Sequence, residues 1–194
     1  MQIADPSGAT PLSPEETDDL IPVTITSRAD LNEWEQANIQ KAEAWAFSRD
    51  HKNLVSSEFI CTLHKKMFDS VWRWAGQYRR SAKNIGIEWP DIPVEVKKLC
   101  DDCNYWIQYQ SFASDEIASR FHHRLVTIHP FPNGNGRHSR MMADLIVTSL
   151  GYSRFTWGGG PGLAPNDTVR SQYLNALAKA DQGNFEPLIR FVRS

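Results

Sequence analysis

The chain has 194 residues, of which 41% are hydrophobic, and its formal net charge is -2. This length and apolar content are typical of one hydrophobic core and leave little room for two full domains. The small net charge gives no general attraction to nucleic acid or to an anionic membrane surface, and no apolar run approaches the roughly 20 residues that span a bilayer. We therefore expect no direct nucleic-acid binding and no membrane segment.

The first part of the chain is rich in proline and acidic residues. Prolines recur up to Pro14, and a run of acids follows from Glu15 to Asp19, which is typical of an extended, solvated segment. We predict an extended N-terminal arm over residues 1–22 and a single domain over residues 23–194. Residues 1–12 carry neither the basic start nor the apolar run of a secretory signal, so we expect a cytoplasmic location.

Two helices are predicted next. The first starts after the capping residues between Ser27 and Asp30, and its core face is predicted from residues at helical spacing: Leu31, Trp34, Asn38, Ala42 and Trp45. The second begins at Ser56 or Ser57, and its core face is Phe59, Ile60, Leu63 and Met67. His64 is expected at the surface or at the edge of the core.

The one convincing strand pattern follows. Ile85, Ile87 and Trp89 alternate with more polar residues, and Pro90 ends the run. A further helix is predicted over residues 91–110, with a core face formed by Val96, Leu99, Cys103 and Trp106.

Two buried helices then enclose a tight turn. Apolar residues at helical spacing up to Ile128 predict a helix that ends at His129, where Pro130 helps to stop it. A second apolar series, over residues 141–150, predicts a helix that ends before Gly151.

The C-terminal part predicts a loop and two more helices. The glycines of residues 158–162 lack the Lys-Ser/Thr ending of a P-loop, so they indicate only a flexible loop. Asn166 or Asp167 can cap one helix, and the last begins near Glu186-Pro187. These patterns together predict an all-α fold.

The turn between the two buried helices is the run His129-Pro130-Phe131-Pro132-Asn133-Gly134-Asn135-Gly136-Arg137-His138-Ser139-Arg140. Its glycines and Asn135 can present consecutive backbone N–H groups at the positive start of a helix, an arrangement that binds phosphate. Arg137 and Arg140 lie three residues apart, so both can point toward one polyphosphate. His129, on the other side of the turn, can take a proton near neutral pH.

Plainer interpretations stay open for these residues. A proline and glycine turn can simply join two helices, but the combination of a base, an anion-binding turn and two aligned guanidiniums favours an active site. A histidine metal site is disfavoured, because His122 and His123 point about 100° apart on a helix. Cys61, Cys100 and Cys103 are expected to be buried thiols, since no second pair completes a zinc site.

The run resembles the signature of the Fic (Fic/Doc) family, His-Pro-Phe-x-Asn-Gly-Asn-Gly-Arg-x-x-Arg. This resemblance implies a nucleotidyltransferase that moves AMP from ATP, with Mg²⁺, to a Ser, Thr or Tyr hydroxyl of a target protein. His129 would be the general base, and Phe131 a buried anchor. The nucleotide would be held by Asn133, Gly134, Asn135, Gly136, Arg137 and Arg140.

One position departs from the family pattern. Many members carry Asp or Glu where this chain has Asn133, and that carboxylate helps to hold the metal. Asn133 can offer only a neutral carbonyl oxygen, whereas magnesium relies on carboxylates, substrate phosphates and waters. Metal affinity and the choice of donor are therefore left open.

The resemblance also assigns roles outside the run. In Fic-like chains a Trp-Ala-Gly such as that of residues 74–76 precedes a short β-hairpin called the flap, whose open edge would hold a target segment. Here the flap is expected at Asn84, Ile85, Gly86 and Ile87, with a plain surface hairpin as the alternative. Many members carry an inhibitory glutamate that pairs with the last arginine of the motif. Glu33 and Glu35 are the candidates, although the usual pattern around such a glutamate is absent and both can be ordinary solvated charges.

The order of segments from residue 10 to residue 189 resembles one Fic subgroup, mobile mystery protein B. Its members are associated with a helix-turn-helix companion protein, so the resemblance implies such a partner. A protein adenylyltransferase is the leading hypothesis. The alternatives are a nucleotide-binding regulatory module with weak or no transfer activity, and a Fic-type enzyme that transfers a different phosphate-containing group or removes AMP.

Overall fold

The computed structural model describes residues 18–22, 24–159 and 167–194. These residues form seven α-helices and a short 3-10 helix, Trp89–Asp91, which confirms the predicted all-α class. The α-helices are α1 Arg28–Phe47, α2 Ser57–Phe68, α3 Ile92–Gln108, α4 Ser114–Ile128, α5 Asn135–Ser149, α6 Asp167–Asp181 and α7 Glu186–Arg193. None of the helices in this described part is both long and apolar enough to cross a bilayer.

Serine caps fix where the first two helices begin. The Ser27 side chain accepts the N–H of Asp30 at 3.1 Å, and the Asp30 carboxylate accepts the N–H of Ser27 at 2.9 Å. This capping box starts α1. Ser56 caps α2 by accepting the N–H of Phe59 at 3.1 Å. Both starts agree with the sequence prediction.

The buried face of α1 differs from the predicted one. Trp34, predicted in the core, is 44% exposed, whereas Glu35, which was not predicted there, is buried; Asn38 is buried as predicted. A polar side chain at a buried position needs a partner, and Asn38 finds one in the carbonyl of Lys66 at 2.9 Å. Contacts of buried polar side chains therefore help to determine which face of α1 is buried, and hydrophobic periodicity alone does not predict such contacts.

The core is built around α4 and α5, which pack along each other more extensively than any other helix pair of the described residues. Phe121, Ile128, Met142 and Ile146 are fully buried between them and their neighbours. Helices α1 and α2 form a second close pair, and α3 packs on α4. The turn between α4 and α5 is thereby held at one end of the core.

The short β-hairpin predicted around residues 84–89 is not formed in the described part of the chain. This stretch consists of bends that lead into the 3-10 helix. The guanidinium of Arg79 donates to the carbonyl of Ile87 at 2.6 Å. The N–H of Ile87 donates to the carbonyl of Ile128 at 3.4 Å. These hydrogen bonds leave Ile87 without the groups a partner strand would pair with.

Only the end of the predicted N-terminal arm falls within the described residues. There Leu20 forms an isolated antiparallel bridge with Trp72. The N–H of Ile21 donates to the carbonyl of Val71 at 2.8 Å, and the N–H of Arg73 donates to the carbonyl of Asp19 at 3.0 Å. Residues 1–17 lie outside the described residues, as do the predicted cap Asn166 and most of the glycine loop.

Candidate active site

A cavity of about 420 Å³ opens where the turn joins α4 to α5. The structure brings to it every residue predicted to handle the nucleotide or its chemistry: His129, Asn133, Gly134, Asn135, Gly136, Arg137 and Arg140. Ile85 also lines it, whereas the other predicted flap residues do not figure in its lining. Of the two candidate glutamates, Glu35 lines the cavity and Glu33 is exposed.

His129 terminates α4 in a left-handed conformation, with φ of 54°. Such a conformation costs a non-glycine residue about 1 to 3 kcal/mol, so surrounding contacts must hold it. The residue is 6% exposed. Burial, and then the positive charges of Arg79 and Lys83, lower the pKa of His129 to about 4. The imidazole is therefore neutral at pH 7, the form in which it can accept a proton.

The side chain of Asn135 closes the turn. Its Oδ1 accepts the N–H of Phe131 at 2.9 Å, and its Nδ2 donates to the carbonyl of Phe131 at 2.8 Å. Phe131 is fully buried, as predicted for an anchor. Because both polar groups of the Asn135 side chain are engaged, Asn135 can offer a ligand only its backbone N–H.

The expectation for His64 was wrong, because this residue is fully buried beneath the turn. Its Nδ1 accepts the N–H of Gly76 at 3.0 Å, so its Nε2 carries the proton that it donates to the carbonyl of Asn133 at 3.0 Å. Its ring stacks on Phe131 at a centroid distance of 3.7 Å. A lone histidine between core positions gave no signal that it had two backbone partners.

The start of α5 is suited to an anion. The N–H of His138 bonds the carbonyl of Gly134 at 2.9 Å, so the N–H groups of Asn135, Gly136 and Arg137 precede the first intrahelical bond. The first turn of the helix carries no acidic residue, which leaves its positive dipole end uncompensated within that turn.

The two glycines of the turn are needed for different reasons. Gly134 has a φ of +78°, and a Cβ there would lie 2.5 Å from the ring of Phe68. Gly136 is helical, and a Cβ there would meet no heavy atom within 4 Å. The fold itself therefore requires a glycine at Gly134 but not at Gly136, where the missing side chain leaves room for a ligand to approach the backbone.

Arg137 is held by an ion pair. Its guanidinium lies 2.6 Å from a carboxylate oxygen of Glu35, and it also packs over the ring of Phe68 at 5.0 Å. The other oxygen of Glu35 accepts the indole N–H of Trp72 at 2.8 Å. The resemblance implied a pair with the last arginine of the motif, whereas the observed pair is with the first. The pairing needs α1 against α5, which sequence reasoning could not place.

Arg140 is partly buried beside α6. It lies over the ring of Tyr173 at 6.0 Å, and the Tyr173 hydroxyl is 2.9 Å from Nε2 of His122. Burial raises the pKa of Tyr173 to about 12. Sequence reasoning missed the place of Tyr173 in the cavity. It also missed other lining residues, which showed no motif or periodicity of their own: Arg28, Asn32, Arg170 and Leu174.

The donors in the cavity do not fit a magnesium site supplied by the protein. The Oδ1 of Asn133 accepts the N–H of Gly134 at 2.6 Å, and the carboxylate of Glu35 is occupied by Arg137 and Trp72. Over the residues that the structure describes, no three His, Cys, Asp or Glu side chains come together as a metal-binding group.

Known proteins resemble both the sequence and the fold. Residues 54–147 match the Fic/DOC family model. "Protein adenylyltransferase Fic" of Drosophila mojavensis is 30% identical over 145 residues, which cover 73% of this chain and 27% of that protein. The protein of the same name from Drosophila grimshawi is 32% identical over 137 residues, covering 69% and 27% respectively. The chain thus spans about a quarter of the length of these relatives.

Among solved structures, BepC of Bartonella tribocorum with bound AMPPNP superposes with a TM-score of 0.70. It is 19% identical, and the match covers 93% of this chain and 97% of that chain. At 19% sequence identity, this structural similarity is evidence for a shared fold alone. With the family match and the motif gathered at one cavity, it follows that the chain contains a Fic/DOC family domain.

Proposed function

We propose that this chain is a protein adenylyltransferase that moves AMP from ATP to a Ser, Thr or Tyr hydroxyl of a target protein. The observation that carries the proposal is that neutral His129 and the anion-binding start of α5 face the same cavity. The relatives named adenylyltransferase and the neighbour with bound AMPPNP support ATP as the donor.

In this reaction His129 accepts the proton of the target hydroxyl. The hydroxyl oxygen forms a bond to the α-phosphorus, the bond from that phosphorus to the bridging oxygen breaks, and pyrophosphate leaves with the electron pair. General-base assistance of this kind contributes about 10² to 10⁴ in rate. His129 then returns its proton to solvent.

The remaining residues bind and orient the nucleotide. Backbone N–H groups at Gly136 and Arg137 hold phosphate oxygens, and the guanidiniums of Arg137 and Arg140 balance the charge of the pyrophosphate. The adenine ring would lie toward Tyr173 and Leu174, on the side of the cavity formed by α6. Magnesium would arrive bound to the triphosphate, because the Glu35 carboxylate on the cavity wall is engaged by Arg137 and Trp72.

The same cavity suggests how activity is restrained. The carboxylate of Glu35 is paired with the guanidinium of Arg137. A phosphate must displace this carboxylate to bind the guanidinium. We propose Glu35 as the inhibitory residue, whereas Glu33 is exposed and does not line the cavity.

Further assignments rest on the family resemblance. The target segment would lie along residues 84–87, of which Ile85 reaches the cavity. The resemblance in segment order supports membership of the mobile mystery protein B subgroup, and that resemblance in turn implies a helix-turn-helix companion; copurification with the companion would test both. The single domain over residues 23–194 and the cytoplasmic location stay predictions.

Labelled ATP tests the reaction. The protein is incubated with a cell extract and either α-labelled or γ-labelled ATP, beside a His129→Ala variant. Adenylyl transfer gives α label on protein that is lost in the variant. Label from the γ position alone indicates phosphoryl transfer, and ATP binding without either label favours a regulatory module. Label that survives His129→Ala contradicts the proposed base.

A further inference from the structure

Arg79 is a fully buried arginine, 2% exposed, outside the signature run. A buried guanidinium needs hydrogen-bond acceptors for its N–H groups, because burial removes it from water at high cost. The Arg79 guanidinium donates to backbone carbonyls in two separate segments of the chain, the end of α4 and residues 81–87. Arg79 therefore connects these two segments.

The first set of partners belongs to the end of α4. Nε of Arg79 donates to the carbonyl of His129 at 2.7 Å, and one terminal nitrogen lies 3.5 Å from the carbonyl of Ile128. The backbone N–H of Arg79 donates to the carbonyl of Pro130 at 2.9 Å. Three consecutive carbonyls around the base are therefore oriented by this one residue.

The second set belongs to the segment on the target side of the cavity. The guanidinium donates to the carbonyl of Ser81 at 2.8 Å and to that of Ile87 at 2.6 Å. Gly86 packs against the same group, since a Cβ there would lie 2.7 Å from the guanidinium and 2.7 Å from Cβ of His129. Residues 81–87 and the base thus share one buried anchor.

The conformation of His129 explains why an anchor is needed. With φ at 54°, the residue lies in the left-handed region that side chains other than glycine disfavour. The direction of its Cα–Cβ bond, and hence the aim of its imidazole, follows from that φ and from the orientation of its carbonyl. Arg79 fixes the carbonyl.

We infer that Arg79 is a positioning residue: it holds His129 in the left-handed conformation that aims the imidazole into the cavity, and it ties this conformation to residues 81–87. A target segment that binds to residues 81–87 would therefore influence the conformation of His129 through Arg79. The catalytic part of this inference rests on the proposed adenylyl transfer.

Arg79→Lys tests the inference, with Arg80→Lys as a matched control because Arg80 is the exposed neighbour. A single ammonium nitrogen cannot replace the three guanidinium nitrogens that donate separately to the carbonyls of His129, Ser81 and Ile87. We expect Arg79→Lys to bind ATP nearly as well as the wild type, while kcat for transfer falls about 10²-fold because the base is misplaced. The His129 Cα and Cβ resonances, which report its backbone conformation, should shift. Arg80→Lys should change none of these.

A second variant, Gly86→Ala, covers the case in which Arg79→Lys does not fold. Its methyl group displaces the guanidinium or His129 itself, so we expect a kcat at least about tenfold lower and shifted His129 resonances in a folded protein. Wild-type resonances and kcat in either folded variant would overturn the inference, as would a loss confined to ATP affinity. If the wild type transfers nothing, the proposed function fails, and the His129 resonances alone still decide whether Arg79 holds the base.

Discussion

A carboxylate oxygen of Glu35 lies 2.6 Å from the guanidinium of Arg137, across 102 positions of sequence. The pair joins the buried face of α1 to the first turn of α5, at the place where an anion would otherwise bind. The indole of Trp72 fixes the second carboxylate oxygen at 2.8 Å. These two contacts hold the Glu35 carboxylate against Arg137, so under the proposed inhibitory role a phosphate that binds Arg137 would have to displace it.

Glu35→Gln should make the protein bind ATP more tightly. The amide can still accept the Trp72 indole N–H, but it no longer carries the charge that competes for Arg137. We expect the Kd for ATP to fall about tenfold, equivalent to about 1.4 kcal/mol, and transfer to rise with it. Calorimetric titration measures the affinity, and Glu33→Gln on the exposed side of α1 is the matched control. Unchanged affinity in Glu35→Gln would refute the inhibitory assignment.

Alanine substitutions at the two glycines of the turn should have different effects, one on ATP binding and the other on stability. Gly136→Ala has open space for its methyl group, so the melting temperature should stay close to wild type while the Kd for ATP rises about tenfold or more. Gly134→Ala meets Phe68 and a positive φ, which should lower the free energy of unfolding by about 1 to 3 kcal/mol. Thermal unfolding and ATP titration check both variants. Wild-type ATP affinity in Gly136→Ala would mean that phosphate does not approach this backbone.

Asn133→Asp should create the metal ligand that the cavity lacks. The carboxylate adds a negative charge that magnesium prefers to a neutral amide oxygen. We expect the magnesium concentration for half-maximal ATP binding to fall in the variant, with Asn32→Asp, elsewhere on the cavity wall, as the control. Equal magnesium dependence in wild type and Asn133→Asp would exclude this position from metal binding.

Buried histidines should make the fold sensitive to acid. Burial lowers the pKa of His122 and of His138 to about 3 and that of His129 to about 4, from 6.5. Below pH 6.5 the unfolded chain therefore binds protons that the native chain does not, so the free energy of unfolding falls as pH drops, by about 1.4 kcal/mol per pH unit for each histidine.

Asp144 opposes this trend. Burial raises its pKa from 3.8 to about 6, so between these values the native chain binds the extra proton and gains stability as pH falls. Three histidines outweigh one carboxyl, and we expect a net loss of stability from pH 6 to pH 4. Urea unfolding at a series of pH values measures it, and His138→Gln should flatten the slope. Equal or greater stability at the acid end would contradict the burial of these groups.

How far the sequence predicts this molecule depends on the kind of contact. Ser27, Ser56 and the apolar spacing of α4 and α5 predicted the helices, because local hydrogen bonds and periodic burial determine them. The run from His129 to Arg140 predicted the cavity, because one turn carries nearly all of its groups.

The misses share one physical cause: they depend on contacts between distant segments. Ile85, Ile87 and Trp89 alternate like a strand, yet the backbone of Ile87 is bound by Arg79 and the end of α4. The burial of His64 and the ion pair between Glu35 and Arg137 likewise depend on how separate elements pack. No local pattern reports such packing.

The most direct test of the central claim is a crystal structure of Glu35→Gln with a non-hydrolysable ATP analogue. The account predicts the α-phosphorus opposite the imidazole of His129, with the β- and γ-phosphates on the N–H groups of α5 and on Arg137 and Arg140. A γ-phosphorus facing His129, or a nucleotide bound away from the start of α5, would contradict it.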